Sequence, residues 1–225
     1  MTTGMPVHLL SQVPYFAGLD RAHLFDLAKT AVLRHYDAGQ VVLLEGEPCT
    51  GMQIVEGGWL RSLKSSPSGR EQTLRVVGPG EVFSDFTMFA GKANASTVVA
   101  LEPSRVWFIA AQSVLSLLDQ PSFASLVVQT LAARALQLLS LVEDLSLRTV
   151  TARLARLLVE NSSEDVVPRR RWATQTEMAN RLGTVPDVLN RALRALVADG
   201  LIEVDRQQIR ICDRPGLEAR SNVDA

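Results

Sequence analysis

Apolar and polar residues alternate with a period of two between Gln40 and Ile109, and clusters of Gly, Pro and Ser interrupt the alternation. The alternating runs are QVVLLEGE, IVE, WLRSLK, EQTLRVV, EVFSDFTMF and ASTVVALEPSRVWFIA. Short alternating runs that are separated by turn residues are typical of antiparallel strands. The pattern therefore predicts a β-barrel or a β-sandwich in this part of the chain.

Near Ala110 the period of the apolar residues changes to that of a helix. From Pro121 onward a heptad places Val128, Ala135 and Val142 at one position, and Ala124, Leu131, Leu138 and Leu145 at the other. Valine at the first position with leucine at the second favours two parallel helices. We expect a dimerisation helix whose seam is Val128, Leu131, Ala135, Leu138, Val142 and Leu145. The alternative is a helix packed on its own domain, because the heptads are few and Leu139 and Leu141 widen the apolar face.

The same segment, Phe123 to Val142, has about the length and apolar content of a membrane span, but Arg134 lies at its centre. A central arginine costs roughly 2.5–3.5 kcal/mol on insertion scales. The amino-terminal residues MTTGMPVHLLSQVPYF also lack the basic start and the continuous apolar run of a signal peptide. We therefore expect a buried or interface helix, a cytoplasmic protein and no contact with a membrane.

The last part of the chain carries the most specific signal. A shorter helix from about Thr149 to Glu160 comes first, and TQTE at Thr174 to Glu177 then fits a capping box. The helix that starts there stops at Gly183, a residue suited to a left-handed terminator. Pro186 falls at the first position of a second helix, which ends at Gly200 before the two short strands of LIEVDRQQIRIC. Helix, glycine turn, helix and β-hairpin form a winged helix-turn-helix.

The outward face of the second helix indicates what the domain contacts. Its buried side is expected to consist of Val188, Leu189, Ala192, Leu193, Leu196 and Val197. On the outer side, Arg191 can donate to guanine, Asp187 can accept from cytosine, and Asn190 can read adenine or hold a phosphate. The predicted DNA contacts are Thr174, Gln175, Thr184, Pro186, Asp187, Asn190, Arg191 and Arg194. The alternative is a solvated helix face on which Asp187 pairs with Arg191.

Charge and composition change this picture only in part. With 47% hydrophobic residues the chain is too apolar to be disordered, and its net charge of -1 argues by itself against a strongly basic nucleic-acid binder. Residues 148–225 carry 13 arginines and 11 acidic residues, whereas residues 1–147 carry 10 basic and 13 acidic residues. Because this excess is small, the argument for DNA rests on position. The relevant cations are Arg169, Arg170, Arg171, Arg191 and Arg194.

A β domain, a long helix and a carboxy-terminal winged helix in 225 residues resemble the CRP/FNR family of bacterial transcription regulators over nearly the whole chain. The segment LGTVPDVLNRALRALVADGLI is similar to the recognition-helix signature of that family, and its three reading positions fall on Pro186, Asp187 and Arg191. Asn190 stands where serine or glycine is usual. Pro186 is a departure, because it cannot donate the contact that an arginine makes there in cyclic-AMP receptors.

The resemblance implies an α+β fold with three parts. Residues 1–120 would form a cyclic-nucleotide-binding-like β-roll (jelly roll) that acts as a sensor. Residues 121–147 would form the dimerisation helix, and residues 148–225 the winged helix-turn-helix. It also implies a homodimer on a roughly palindromic site in double-stranded DNA, with RNA polymerase as a further partner.

The resemblance also locates an effector pocket, and its residues depart from the cyclic-AMP pattern. GEVFSDFTMFAGKANASTVV matches the phosphate-binding cassette of the family, in which Gly-Glu binds the ribose and a later Arg-Ser holds the cyclic phosphate. The four positions here are Ser84, Asp85, Ala95 and Ser96, so the arginine is missing and Lys92 is the one nearby cation. The positions that would contact adenine are the apolar Leu138 and Leu139. Because a buried phosphate needs a matched cation, we expect a degenerate pocket, no cofactor and no control by cyclic AMP.

Other sensing chemistries find little support. An iron–sulfur cluster needs four cysteines, and the chain has only Cys49 and Cys212. The candidate haem ligands have no recognisable spacing, and we expect packing or surface roles for them; they are His8, His23, His35, Met52, Met88 and Cys49. Cys49 could sense oxidants, although a turn residue is the simpler interpretation. Neither a metal site nor catalytic machinery is expected. The alternative function is a ligand-binding module whose winged helix contacts protein.

Overall fold

The computed structural model describes residues 5–168, 170 and 173–222. Contacts between residues divide the chain into two units. The first reaches Lys64 and continues over Leu74–Leu136, and the second comprises Ser65–Thr73 and the residues from Gln137 onward. Arg169 and Arg171, two of the cations that the sequence analysis singled out, lie outside the described residues.

The helices are α1 (Val7–Gln12), α2 (Arg21–Thr30), α3 (Asp85–Phe89), α4 (Ala111–Leu115), α5 (Pro121–Leu147), α6 (Val150–Asn161), α7 (Gln175–Leu182), α8 (Pro186–Ala198) and α9 (Arg214–Ser221). The strands are β1 (Val32–Tyr36), β2 (Val41–Leu43), β3 (Gly51–Gly57), β4 (Leu60–Ser65), β5 (Glu71–Val77), β6 (Val82–Phe83), β7 (Thr97–Ala100), β8 (Ser104–Ala110), β9 (Val166–Pro168), β10 (Ile202–Val204) and β11 (Gln208–Ile211). This mixture confirms the α+β class.

The first unit is built on two four-stranded sheets with the orders β1-β8-β3-β6 and β2-β7-β4-β5. The paired strands are antiparallel, which confirms the interpretation of the alternating runs. β1 was not predicted, since its sequence VLRHY places charged and polar side chains at consecutive positions and its burial does not alternate. The helices α1 and α2 were not predicted either, although Leu10 and Phe16 in this region are fully buried.

The expected strand over EVFSDFTMF is wrong. Only Val82 and Phe83 are extended, and DFTMF forms α3 instead. Ser84 has φ 64°, a left-handed conformation that ends the strand. Asp85 then lies completely buried at the start of α3, where tertiary partners satisfy its carboxylate, so the local alternation of apolar residues does not decide the structure.

The long helix α5 has the bounds expected from the heptad pattern, Pro121 to Leu147. Near its start Phe123 and Val127 are buried, and Phe123 stacks on Phe16 with 5.9 Å between the ring centroids. Leu131 packs against the core of the first unit. Further along, Leu136, Leu139 and Val142 are exposed. Among the described residues α5 is the one helix with the length and composition of a membrane span, and almost none of it is buried.

The second unit contains the predicted winged helix-turn-helix. Helices α6, α7 and α8 share a core with the strands β10 and β11, which contains Leu154, Leu158, Leu189 and Leu196. The strand β9 adds to the predicted hairpin and gives a three-stranded sheet with the order β10-β11-β9. The helix α9 was not predicted, and its Leu217 is fully buried in the same core.

Candidate nucleic-acid interface

The start and the end of α7 have the conformations that the sequence predicts. The Thr174 hydroxyl accepts a hydrogen bond from the Glu177 amide at 3.2 Å, which caps the helix. Gly183 ends it with φ 66° and ψ 35°, and Pro186 occupies the first turn of α8. Because only two residues separate Gly183 from the beginning of α8, the turn fixes the direction of α8 relative to α7.

One side of α8 is buried and the other faces solvent. Leu189, Ala192 and Leu196 are buried, as expected, but Val197 is 44% exposed and does not belong to the buried side. The helix ends at Ala198, so Val197 lies in its last turn, where fewer neighbours cover it. Asp187, Arg191 and Arg194 are exposed.

We call Asp187, Asn190, Arg191 and Arg194 the reading face. Within the described part of the chain no hydrogen bond or ion pair engages the side chains of Asp187 and Arg191, so the alternative internal pair does not form. The Asn190 amide donates to Gln175 Oε1 of α7 at 3.3 Å. Arg194 Nε donates to the Asn190 carbonyl oxygen at the same distance. Two charged groups with donor and acceptor capacity are thus available to a ligand.

The other predicted contacts surround this face. Thr174 and Gln175 are exposed at the start of α7, and Thr184 and Pro186 are half-buried beside the turn. Arg206 and Gln207 lie exposed at the tip of the wing between β10 and β11. The sequence analysis did not select these two residues, because only the hairpin turn around Asp205 brings them to the surface. The Asp205 carboxylate accepts from the Gln207 and Gln208 amides, and these bonds lower its pKa.

One residue of the predicted effector pocket, Asp85, is bound by the protein's own side chains. Asp85, at the position expected to bind ribose, is completely buried, and Arg134 Nη1 of α5 donates to its Oδ1 at 2.7 Å. The Tyr15 hydroxyl donates to the other carboxylate oxygen. Burial, and then the neighbouring Asp85 charge, raise the pKa of Tyr15. Tyr15 is therefore a neutral donor, and the carboxylate has a cationic and a neutral partner.

A second guanidinium lies beside this pair. Arg75 Nη1 and Arg134 Nη2 each donate to the Val82 carbonyl oxygen at 3.0 Å. Arg75 also pairs with Glu81, which places two cations and two anions around the turn between β6 and α3. Sequence reasoning considered only Lys92, which is exposed, because Arg75 and Arg134 both lie outside the cassette, five residues before it and 35 residues after it. No periodicity in the sequence could have identified them.

The remaining pocket residues offer no charge. Ser84 donates to the Gly51 carbonyl oxygen at 2.9 Å, the Ser96 hydroxyl lies 2.7 Å from that of Ser62, and Ala95 is half-buried. Leu138 and Leu139, the expected adenine contacts, are 56% and 64% exposed.

The candidate haem and redox residues are dispersed. Cys49 is half-buried beside Thr87 and the Ser84 carbonyl; Met52 and Met88 are buried, whereas His8 and His35 are exposed. His23 lies half-buried beside Gln120. Within residues 5–168, 170 and 173–222 no group of three His, Cys, Asp or Glu side chains could hold a metal ion.

Comparison with known proteins gives matches to both units. The model of the cyclic nucleotide-binding domain matches residues 33–121, and that of the Crp-like helix-turn-helix domain matches residues 152–220. A CRP-like cAMP-activated global transcriptional regulator of Mycobacterium tuberculosis is 24% identical over 220 residues, which cover 95% of this chain and 98% of the relative. The cyclic AMP receptor protein of Thermus thermophilus is 25% identical, over 91% of this chain and 95% of the relative.

A solved structure agrees with this fold. The structure of FixK2 from Bradyrhizobium japonicum superposes with a TM-score of 0.77 at 20% identity, covering 87% of this chain and 99% of that chain. A cyclic-nucleotide-binding type β domain, a long helix and a helix-turn-helix domain define a class of DNA-binding regulators. The chain belongs to the CRP/FNR family of transcription regulators.

Proposed function

We propose that the protein is a homodimeric, sequence-specific regulator that reads a roughly palindromic DNA site through α8 and is not controlled by cyclic AMP. The observation that carries the DNA part is the reading face, whose Asp187 and Arg191 have no partner within the described residues. The two recognition helices of the dimer would enter successive major grooves one turn apart. In this proposal residues 1–120 are the sensor, 121–147 the dimerisation helix and 148–225 the reader.

An exposed stripe on α5 supports the homodimer. Val128, Ala132, Ala135, Leu139 and Val142 are all exposed and recur at intervals of four and three residues, which is the spacing of a two-helix seam. We call this set the dimer stripe. It contains three of the six seam residues expected from the sequence. Leu131 packs instead on its own unit, and Leu145 lies against Gly183, so the stripe is rotated toward Leu139.

The polar content of α5 favours a second copy over a membrane as the cover for this stripe. Arg134 and Asp144 lie in the same helix and form ion pairs with other parts of the chain, and ion pairs of this kind are rare in lipid. We therefore propose a cytoplasmic protein whose partners are DNA, a second copy and RNA polymerase, with transcription control rather than catalysis as its role.

Independence from cyclic AMP rests on the occupied carboxylate. Asp85 is already bound by Arg134 and Tyr15, and Ala95 leaves the phosphate without its cation. Since two of the similar proteins are named for cyclic AMP, this nucleotide is the ligand to test. We expect no heat of binding in calorimetric titration, and equal operator affinity with and without saturating cyclic AMP. A stoichiometric binding isotherm would contradict this part of the proposal.

Arg191→Ala tests whether α8 reads bases. We expect operator affinity to fall by about 1–3 kcal/mol, because a bidentate contact to guanine is lost, with relaxed preference at one base pair in each half-site. Selection of bound fragments from random DNA by the purified protein supplies the operator, and the affinities are measured at one fixed salt concentration. Affinity for random DNA is expected to change much less.

The matched control is Arg220→Ala, which removes the same charge from α9, where the half-buried Arg220 pairs with Asp199. This variant is expected to keep wild-type base preference. An equal loss for Arg191→Ala on operator and random DNA would instead assign Arg191 to a phosphate. If the wild type gives neither a sharp footprint nor a steep decline of affinity with salt, the second candidate, a winged helix that contacts protein, replaces the first.

A further inference from the structure

The segment Ser65–Thr73 comprises the last residue of β4, the turn that follows and the first three residues of β5. It belongs to the second unit, and its side chains contact the end of α7. We call it the tip segment. Arg70 Nη2 donates to the Gly183 carbonyl oxygen at 2.7 Å, and Gln72 Nε2 donates to the Asn180 carbonyl oxygen at 3.0 Å. The tip segment therefore supplies donors to the two residues at which α7 ends.

These hydrogen bonds supply donors to carbonyl groups at the carboxy-terminal end of α7. The last carbonyl groups of an α-helix have no partner within the helix, and the helix dipole makes that end favourable for a cation such as Arg70. Gly183 begins the turn between α7 and α8 in the left-handed conformation, and the bond from Arg70 engages the carbonyl oxygen of this first turn residue. Two side chains of the tip segment thus complete the hydrogen bonding of this turn.

A third contact anchors the tip segment at the start of α7. Thr73 is 3% exposed and Glu177 is 5% exposed, and the Thr73 hydroxyl donates to Glu177 Oε1 at 3.1 Å. A buried carboxylate is costly when it lacks donors. Glu177 is also the residue whose amide is capped by Thr174, so the segment touches both ends of the first helix of the motif.

The turn itself is enclosed tightly. A Cβ atom placed on Gly183 would lie 2.8 Å from Gln72 Oε1, 2.7 Å from Leu145 Cδ2 and 3.3 Å from Arg153 Nη1. The tip segment therefore forms one wall of the space that holds the turn, with the ends of α5 and α6 nearby. A shift of its side chains would leave this turn without support.

We propose that Arg70, Gln72 and Thr73 are positioning residues for DNA reading, which fix the turn from which α8 and its reading face emerge. They lie more than one hundred residues before α8 and need not touch DNA themselves. The inference rests on the proposed function of α8 as the DNA reader.

The test uses the full chain with the double substitution Arg70→Ala and Gln72→Ala. Two hydrogen bonds, one of them charge-assisted, are lost, so we expect operator affinity to fall on the order of tenfold. Hydrogen exchange of the amides in residues 178–190 is expected to accelerate, while exchange in the core of the first unit stays unchanged. Thr73→Val, which removes only the hydroxyl, provides a second variant if the double variant folds poorly.

Ser68→Ala is the matched control, because Ser68 lies in the tip segment and contacts Ser66 rather than α7. It is expected to retain wild-type affinity and exchange. Arg70→Lys keeps the cation and is expected to recover most of the affinity that Arg70→Ala loses. Wild-type operator affinity and exchange in the double variant would overturn the proposal.

The failure of this inference can be told apart from the failure of the proposed function. If the wild type does not distinguish its selected operator from random DNA, the proposed function fails. The exchange rates of residues 178–190 then still decide whether the tip segment holds the turn. Unchanged exchange in both tip variants would overturn the positioning role whatever the wild type binds.

Discussion

Replacing Arg134 with methionine is expected to lower the free energy of unfolding by about 3–5 kcal/mol, because Asp85 would remain buried without its cationic partner. Asp85 has no exposed surface, and the side chain of Arg134 is 19% exposed. Methionine preserves much of the apolar stem of arginine, so the loss reflects the charge rather than a cavity. Chemical denaturation measures the change, which is large against a typical total of about 5–15 kcal/mol.

Two further variants test whether the loss of stability comes from the broken ion pair or from the substitution itself. Arg105→Met removes a cation from a pair in which Arg105 is 54% exposed, and it is expected to cost at most about 1 kcal/mol. Asp85→Asn combined with Arg134→Met removes both charges, and should be less destabilising than the sum of the single variants by about 0.5–3 kcal/mol. Strict additivity would show that the two side chains do not act as a pair.

This experiment also bears on regulation. The carboxylate at the position where the family is expected to bind ribose holds Arg134 of α5. Cyclic AMP meets two obstacles in this site, the internal pair and the missing cation at position 95. Arg134→Met removes only the first of them, so this variant alone should not gain nucleotide affinity. The double substitution Arg134→Met with Ala95→Arg is therefore the informative background for titration of cyclic AMP.

The substitutions Leu139→Glu and Val142→Glu together are expected to abolish the proposed homodimer. Both residues lie on the dimer stripe and are 64% and 60% exposed. In a two-fold interface each change occurs in both copies, so four carboxylates would face one another in an apolar seam. We expect the dissociation constant of the dimer to rise by at least about 1000-fold, which is roughly 4 kcal/mol.

Sedimentation velocity measures the assembly state, and titration on the selected operator measures the consequence for DNA. Operator affinity is expected to fall by about 100-fold or more, since the second half-site is no longer bound by a linked reader. Gln137→Glu is the control, because Gln137 is exposed on α5 and lies two residues, or about 200° around the helix, from Leu139. It should remain dimeric. A monomeric wild type would contradict the proposed assembly directly.

Local signals in the sequence explain which parts of the fold could be predicted. The capping residue Thr174, the terminator Gly183 and the first-turn Pro186 each act on neighbouring backbone groups, so their positions gave the helices of the motif correctly. The heptad predicted a helix from Pro121 onward for the same reason, and α5 begins at that residue. By contrast, DFTMF alternates like a strand but forms α3, because a left-handed residue and a buried carboxylate with distant partners override the local pattern.

Periodicity, caps and turn residues were sufficient to predict that the chain contains a β domain, a long helix and a winged helix-turn-helix, because strand alternation, helix periodicity and capping each depend on residues close in the chain. The resemblance to the CRP/FNR family added that the cyclic-phosphate arginine is absent at Ala95. Only the tertiary structure decided that Arg134 and Tyr15 meet Asp85 across 49 and 70 positions, and that the tip segment donates hydrogen bonds to Asn180 and Gly183 at the turn before α8. Such contacts depend on how whole elements pack, and no local pattern of residues encodes that packing.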